Sequence, residues 1–338
     1  MIGIVDRKGS FSDRWIEYCE KNKIPFRLID IYKSDLLTEI SGLHALLWNW
    51  SHGDFQSQMV ARQIIASLEY SGLLIYPNIK TCWHYDDKLA QKYLLEAIDA
   101  PVVPTWIFFN FDEALAWIKE VDFPKVFKLR KGAGSYNVKL VENKDQAKRL
   151  CKIAFSKGFD PIPSYFSDAK TKLRKSGSIS GFFEKIKRMP ETLIERKHSI
   201  PFPNERGYVY FQDFMLNNDY DTRVVIIGER AFAFNRYNRK NDFKASGAGL
   251  YEWNQSKIDT RMLKISFDVA EKLQTQSLAL DLLYNQEKKP VVLEISYTFP
   301  SKTAILECSG HWNRALEWVD GKMYPQDAII EDILNKIR

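Results

Sequence analysis

Short apolar runs and amphipathic stretches alternate through the first part of the chain. Residues 2–5, 26–31, 45–48 and 73–76 have the length and apolar content of buried strands, while 15–22 and 56–70 carry apolar side chains at helical spacing. Strand–helix alternation of this kind predicts a small parallel α/β lobe over residues 1–85. Ligands of such sheets gather beyond the carboxyl ends of the strands. That makes two polar loops, 7–13 and 49–54, the first candidates for gripping a substrate, with plain turns as the other reading.

The pattern changes from residue 86. Leu89, Tyr93, Leu94 and Ala97 fall on one face of a helix predicted over 87–97, with Lys88 near its start. A second helix is predicted over 112–121, between strand-like runs at 106–109 and 125–129. Residues 131–136 are then a small-residue turn, returning through a strand at 137–141 as a hairpin with a flexible tip. Residues 157–205 mix prolines, serines and lysines and read as a solvated basic insertion or a docking patch for an acidic partner. A lobe over 86–206 and another over 207–338 follow from this punctuation. The latter has predicted strands at 208–215, 222–227, 230–237 and 291–295, a long helix over 262–276 and an amphipathic end at 327–337.

Composition narrows the class. The 338 residues are 45% hydrophobic and 27% charged, as in ordinary globular proteins of two or three lobes. No apolar run approaches the roughly 18–20 residues that cross a bilayer, and the opening apolar run reads as a strand rather than a signal peptide. Cys19, Cys82, Cys151 and Cys308 are scattered, so a reducing cytoplasm is the expected compartment. The net charge of +6 fits either an anion-binding site or a lysine-rich surface. Aromatic residues do not interleave with lysines as a nucleic-acid platform requires, so no nucleic-acid partner is expected.

Several segments carry candidate chemistry. Gly132, Gly134 and Ser135 leave backbone amides open to phosphate oxygens, although such turns also merely connect hairpins. Lys128 and Lys88 could each place a positive charge on a phosphate, or be exposed cations. Gln212, Asp213, Phe214 and Met215 end a strand where backbone groups could meet an adenine edge, or form a plain buried strand. Asp221 lies just beyond, where it could accept from ribose hydroxyls, and Arg223 shares its strand face. Asp281 and Glu294 interrupt apolar strands, which is costly unless the acids are paired or bound to a metal. On strands bracketing the turn at 284–290 they could meet across a hairpin and suit magnesium, or else pair with Arg223 or Lys244. Arg236, Arg239 and Lys244 precede a second glycine-containing loop, suiting a phosphoryl group or a carboxylate, or a basic surface.

Taken in this order, these residues resemble the ATP-grasp superfamily. Within it they resemble the carboxylate–amine ligases such as glutathione synthetase and the ribosomal-protein glutamate ligases. The resemblance spans most of 86–301, from Asp87-Lys88 through Lys128, Gln212–Met215, Asp221-Thr222-Arg223 and Asn235-Arg236 to Glu294-Ile295-Ser296. It implies an α/β chain: a small parallel amino-terminal domain before a two-lobed ATP-grasp domain. It further implies that Lys88, Lys128 and the Gly132–Ser135 loop bind phosphates, that Gln212–Met215 hold adenine and that Asp221 holds the ribose. Arg223, Arg236 and Lys244 would face the phosphates or an acyl-phosphate, and Asp281, Glu294 and Ser296 would hold magnesium. Ser296 stands where the family usually has asparagine, and the asparagine usual near Ser246 is also replaced.

The implied activity is ATP-dependent joining of a carboxylate to an amine through an acyl-phosphate, releasing ADP and phosphate. ATP and Mg2+ are the implied cofactors. A kinase acting on a hydroxyl and a catalytically silent nucleotide-binding scaffold are the alternatives. The expected partners are small molecules, an acid and an amine drawn from amino acids, peptides or sugar acids, with no membrane span and self-association left open.

Overall fold

The computed structural model describes residues 1–131, 138–160, 203–238, 249–299 and 307–337. Its elements run β1 (Ile2–Ile4), α1 (Phe11–Lys21), β2 (Phe26–Leu28), α2 (Leu36–Glu39), β3 (Ala45–Leu47), α3 (Phe55–Tyr70), β4 (Leu74–Tyr76), α4 (Ile79–Cys82), α5 (Lys88–Ala97) and β5 (Thr105–Phe108). They continue with α6 (Phe111–Glu120), β6 (Lys125–Lys128), β7 (Lys139–Val141), α7 (Lys144–Ala154), β8 (Val209–Asp213), β9 (Tyr220–Ile227), β10 (Arg230–Tyr237) and β11 (Tyr251–Glu252). The last are α8 (Thr260–Leu273), β12 (Ser277–Tyr284), β13 (Pro290–Ser296), β14 (Gly310–Asn313), β15 (Trp318–Asp320) and α9 (Pro325–Ile337).

The mixed α/β class read from the sequence is present. One compact unit comprises Met1–Ser51, Val60–Pro104 and Met215–Arg338; the other comprises His52–Met59 and Thr105–Phe214.

The first unit holds a parallel sheet ordered β2-β1-β3-β4 and an antiparallel sheet ordered β13-β12-β9-β10-β14-β15, with β11 beside β10. Alternation along the antiparallel strands divides its side chains between two cores. Val225, Ile227, Phe232, Phe234 and Ala279 join Ile2, Ile4, Trp15 and Ile330 on one face. Val224, Ile226, Leu280 and Leu282 join Met262, Phe267 and Leu95 on the other. The helix predicted to reach 276 stops at Leu273, because Gln274 adopts a left-handed conformation and returns its N–H to Ala270 and Glu271 carbonyls. Terminal helix α9 is tied to α1 by Arg14, which grips both Asp327 oxygens at 2.7 and 2.6 Å.

The second unit is an antiparallel sheet ordered β5-β8-β6-β7, with α6 and α7 covering Phe127, Val141, Val209 and Phe211. The sequence reading grouped residues 208–215 with the strands that follow them. β8 pairs instead with β5 and β6, since a two-residue period marks a strand but not its partner. Strands β14 and β15 are also additional to the sequence reading. Their Gly310 has room for no side chain, because an added Cβ would lie 2.3 Å from the Val319 carbonyl.

Candidate functional site

The face of the antiparallel sheet that carries Val225, Ile227, Phe232 and Phe234 changes character along its length. Two residues before Val225 stands Arg223, then Asp221; two beyond Phe234 stands Arg236. Register aligns them: Arg236 opposes Asp221, Arg223 opposes Asp281, and Asp281 opposes Glu294. A single sheet face is thus apolar where it is capped by helices and charged at its other end. A register irregularity follows directly, between Asp281 and Leu282.

The charges are closely matched. Arg223 grips both Asp281 oxygens at 2.7 and 2.8 Å. Arg236 grips both Asp221 oxygens at 2.6 and 2.8 Å, and also reaches Asp281 at 2.8 Å. The four side chains are only 7–19% exposed, so each charge depends on its partners. Burial opposes ionisation of Asp281, but the Arg223 and Arg236 guanidinium groups outweigh it and hold the carboxyl below the usual range. Burial has the upper hand at Asp221, whose pKa is raised despite Arg236. Arg236 is desolvated as well, yet Asp281 and Asp221 keep it charged. Both oxygens of Asp221, the residue the resemblance assigns to the ribose, are engaged by Arg236.

Glu294 has a different partner. Lys88, in the first turn of α5 and 6% exposed, lies 3.1 Å from its Oε1. Asp87 caps that helix by accepting from the Ala90 N–H. One turn on, the Gln91 side-chain carbonyl accepts from the Ile295 N–H at 3.2 Å, so α5 is fastened to β13 at both Glu294 and Ile295. Gln91 escaped the sequence reading because a glutamine on an amphipathic helix gives no signal of its target. The Ser296 hydroxyl donates to the Thr298 carbonyl at 2.9 Å.

Among the described residues no three His, Cys, Asp or Glu side chains gather as a metal cage. Magnesium is instead commonly held by one or two carboxylates with phosphates and water. Glu294, 35% exposed and with one cation beside it, and the Ser296 hydroxyl fit that chemistry. Asp281 differs, both of its oxygens being engaged by arginines.

The second unit contributes a separate set. Lys128 is buried and donates to the Gln212 side-chain carbonyl at 2.6 Å. Gln212 in turn donates to Thr105 at 3.1 Å and is within 3.4 Å of the Tyr210 hydroxyl. These groups occupy the face of β6 and β8 opposite Phe127 and Phe211, as the two-residue period requires. On the core face Lys125 meets Asp213 at 2.5 Å and lies over the Trp106 ring. Asp213 is thereby engaged by Lys125, while Phe214 and Met215 follow as half-buried residues. Gly132, Gly134, Ser135 and Lys244 lie outside the described residues.

No protein-family model matches the chain, and no curated protein is detectably similar to it. Solved structures are informative. The chain is similar to a RimK domain ATP-grasp protein from Sphaerobacter thermophilus, at TM-score 0.57 and 16% identity, over 98% of this chain and 99% of that one. It is similar to D-alanine–D-alanine ligase from Bacillus anthracis at TM-score 0.57 and 16% identity, over 99% and 98% of the two chains. The chain has the ATP-grasp fold.

A structure of the Bacillus anthracis enzyme with ATP shares the ATP-grasp fold with this chain at TM-score 0.57 and 15% identity, over 99% of this chain and 98% of that one. The biotin carboxylase domain of the Hydrogenobacter thermophilus 2-oxoglutarate carboxylase, solved with MgADP, has TM-score 0.55 and 14% identity over 89% of this chain and 64% of that one. Among the described residues no helix is long and apolar enough to cross a membrane.

Proposed function

We propose that this ATP-grasp chain is an ATP-dependent ligase that joins a carboxylate to an amine. The observation that carries the reading is the charged end of one sheet face. It presents Glu294 and Ser296 as hard oxygen donors beside Lys88 and two ion-paired arginines, Arg236 buried and Arg223 half-buried. Phosphoryl transfer asks mainly for positioning and charge neutralisation, which such a set supplies. When bound, magnesium would neutralise charge on the nucleotide phosphates, held by Glu294 and Ser296.

In this reading a carboxylate oxygen attacks the γ-phosphorus of ATP. The bond to the ADP oxygen breaks, and an acyl-phosphate forms. The amine then attacks the acyl carbon, phosphate leaves, and the nitrogen loses a proton to give the amide. Lys88 and Lys128 balance phosphate charge, with Gln212 orienting the Lys128 ammonium. Arg223 and Arg236 stabilise the transferring group, and Asp221 and Asp281 hold them in place and charged. Gln212–Met215 receive the adenine. Outside the described residues, the Gly132–Ser135 loop is assigned to the phosphates, and Lys244 to the phosphates or the acyl-phosphate, by the resemblance alone. The substrates are an amino acid, a peptide or a sugar acid, and the four buried, free cysteines suit a cytoplasmic enzyme.

A phosphate-release screen of acid–amine pairs with magnesium and ATP tests the proposal, with hydroxylamine as the trap. A hydroxamate forms only if an acyl-phosphate does. Phosphate transfer without hydroxamate would favour a kinase. Tight nucleotide binding without turnover would favour a silent scaffold, the reading to which Ser296 and the arginine-bound Asp281 also lend weight.

A further inference from the structure

In the parallel sheet the strand order β2-β1-β3-β4 runs outward in both directions from β1 and β3, so the topological switch point lies between them. A crevice at the carboxyl ends of such a pair is where open α/β sheets take ligands. Arg7 follows β1 and Asn49 follows β3, and the two meet across that point. Arg7 Nε and Nη2 donate to the Asn49 carbonyl at 3.3 and 3.1 Å, and Nη2 also donates to the Asn49 side-chain oxygen at 3.2 Å. Asn49 is only 4% exposed, and its amide donates onward to the Thr298 hydroxyl at 3.0 Å. Thr298 is in turn bonded to the Ser296 hydroxyl through its carbonyl. A continuous hydrogen-bonded chain therefore runs from Arg7 to the strand end that carries Glu294 and Ser296.

The strap that makes this connection is firmly seated. Tyr297 is buried in one core, stacked on Trp50 and donating to its carbonyl at 2.9 Å. Phe299 enters the other core, its ring centroid 4.7 Å from that of Phe11. Residues 296–299 thus straddle the end of the parallel sheet, and Arg7 is fixed beside them. Among the described residues its partners are neutral oxygens, no carboxylate pairs with it, and Nη1 makes no hydrogen bond. A half-buried guanidinium oriented this way has an edge left for an oxyanion.

We propose that Arg7 binds a carboxylate of one substrate, so that the ligase selects an acid or amine bearing a carboxylate besides the one it activates, such as an amino acid or peptide. Asn49 is the positioning residue that holds the guanidinium. The assignment rests on the ligase reading, and the test separates the two.

The complete chain is melted with magnesium and a non-hydrolysable ATP analogue, and then with added glycine, D- and L-alanine, D- and L-glutamate and their dipeptides. Each compound is paired with its carboxamide. The analogue alone should raise Tm. At least one carboxylate should add about 2 °C or more, which its amide does not. Arg7→Gln should keep the nucleotide response, which also shows that the variant folds, and lose the carboxylate response. Arg7→Lys should keep only part of it, having charge without the fork. No response to the nucleotide overturns the ligase reading and this assignment together. A nucleotide response with no carboxylate effect, or with one unchanged in Arg7→Gln, overturns the Arg7 assignment alone.

Discussion

Asp281 and Glu294 stand directly opposite each other in the register of β12 and β13, yet they are committed to different partners. Asp281 is held by two arginines, Glu294 by one lysine on α5. The register brings their backbones together, but burial divides them, the Asp281 side chain being 12% exposed and that of Glu294 35%.

That division predicts different phenotypes for two isosteric changes. Glu294→Gln should fold normally and raise the magnesium needed for nucleotide binding by at least about tenfold. Asp281→Asn should instead cost about 3–5 kcal/mol of stability, because Arg223 and Arg236 lose a buried counter-charge. Urea melts and magnesium titrations on both variants check this. A stable Asp281→Asn protein with a large magnesium defect would assign the ion to Asp281 as well.

Lys128 is buried with its ammonium on the Gln212 carbonyl. Removing the charge in Lys128→Met should weaken ATP-analogue binding about 10- to 100-fold, corresponding to a charge-assisted hydrogen bond of about 1.5–3 kcal/mol. Gln212→Leu should weaken binding less, because it leaves the charge but not its orientation. Equal affinities for wild type and Lys128→Met in a calorimetric titration would remove Lys128 from the site.

The tether of α9 gives a stability prediction remote from the charged face. Arg14 pairs with Asp327 through two bonds and lies over the Tyr324 ring at 4.0 Å. Arg14→Ala should destabilise the chain by about 1–3 kcal/mol, since it strands the Asp327 carboxylate at 13% exposure. Denaturation of Asp327→Asn should show a similar loss, and the double variant less than the sum of the two.

Much of this was legible along the chain, because alternation and helical spacing are local. Arg230–Tyr237 is a strand over the residues its pattern marks, and Asp281 and Glu294 do lie on the two arms of a hairpin. What the sequence could not specify were choices between partners. An acid inside an apolar strand signals a compensating charge, but whether a metal or Arg223 provides it depends on the register of a third strand. The same limit hid the pairing of β8 with β6, and the Asn49–Thr298 bond between residues far apart in the chain.

His84 supplies a pH dependence. Its ring is fully buried, and among the described residues neither nitrogen has a hydrogen-bond partner. Burial, with the Arg62 charge adding to it, lowers its pKa from 6.5 to about 4. Between those values the unfolded chain binds a proton that the folded chain refuses. Stability from this residue is therefore complete above pH 6.5 and declines as the pH falls toward 4. The loss is at most about 3 kcal/mol, at 1.36 kcal/mol per pKa unit. In His84→Leu no proton is taken up at this position in either state, so its stability should fall less than that of wild type between pH 7 and 4.5. Chemical denaturation at a series of pH values measures the difference. Parallel curves for the two proteins would show that His84 takes up its proton without unfolding the chain.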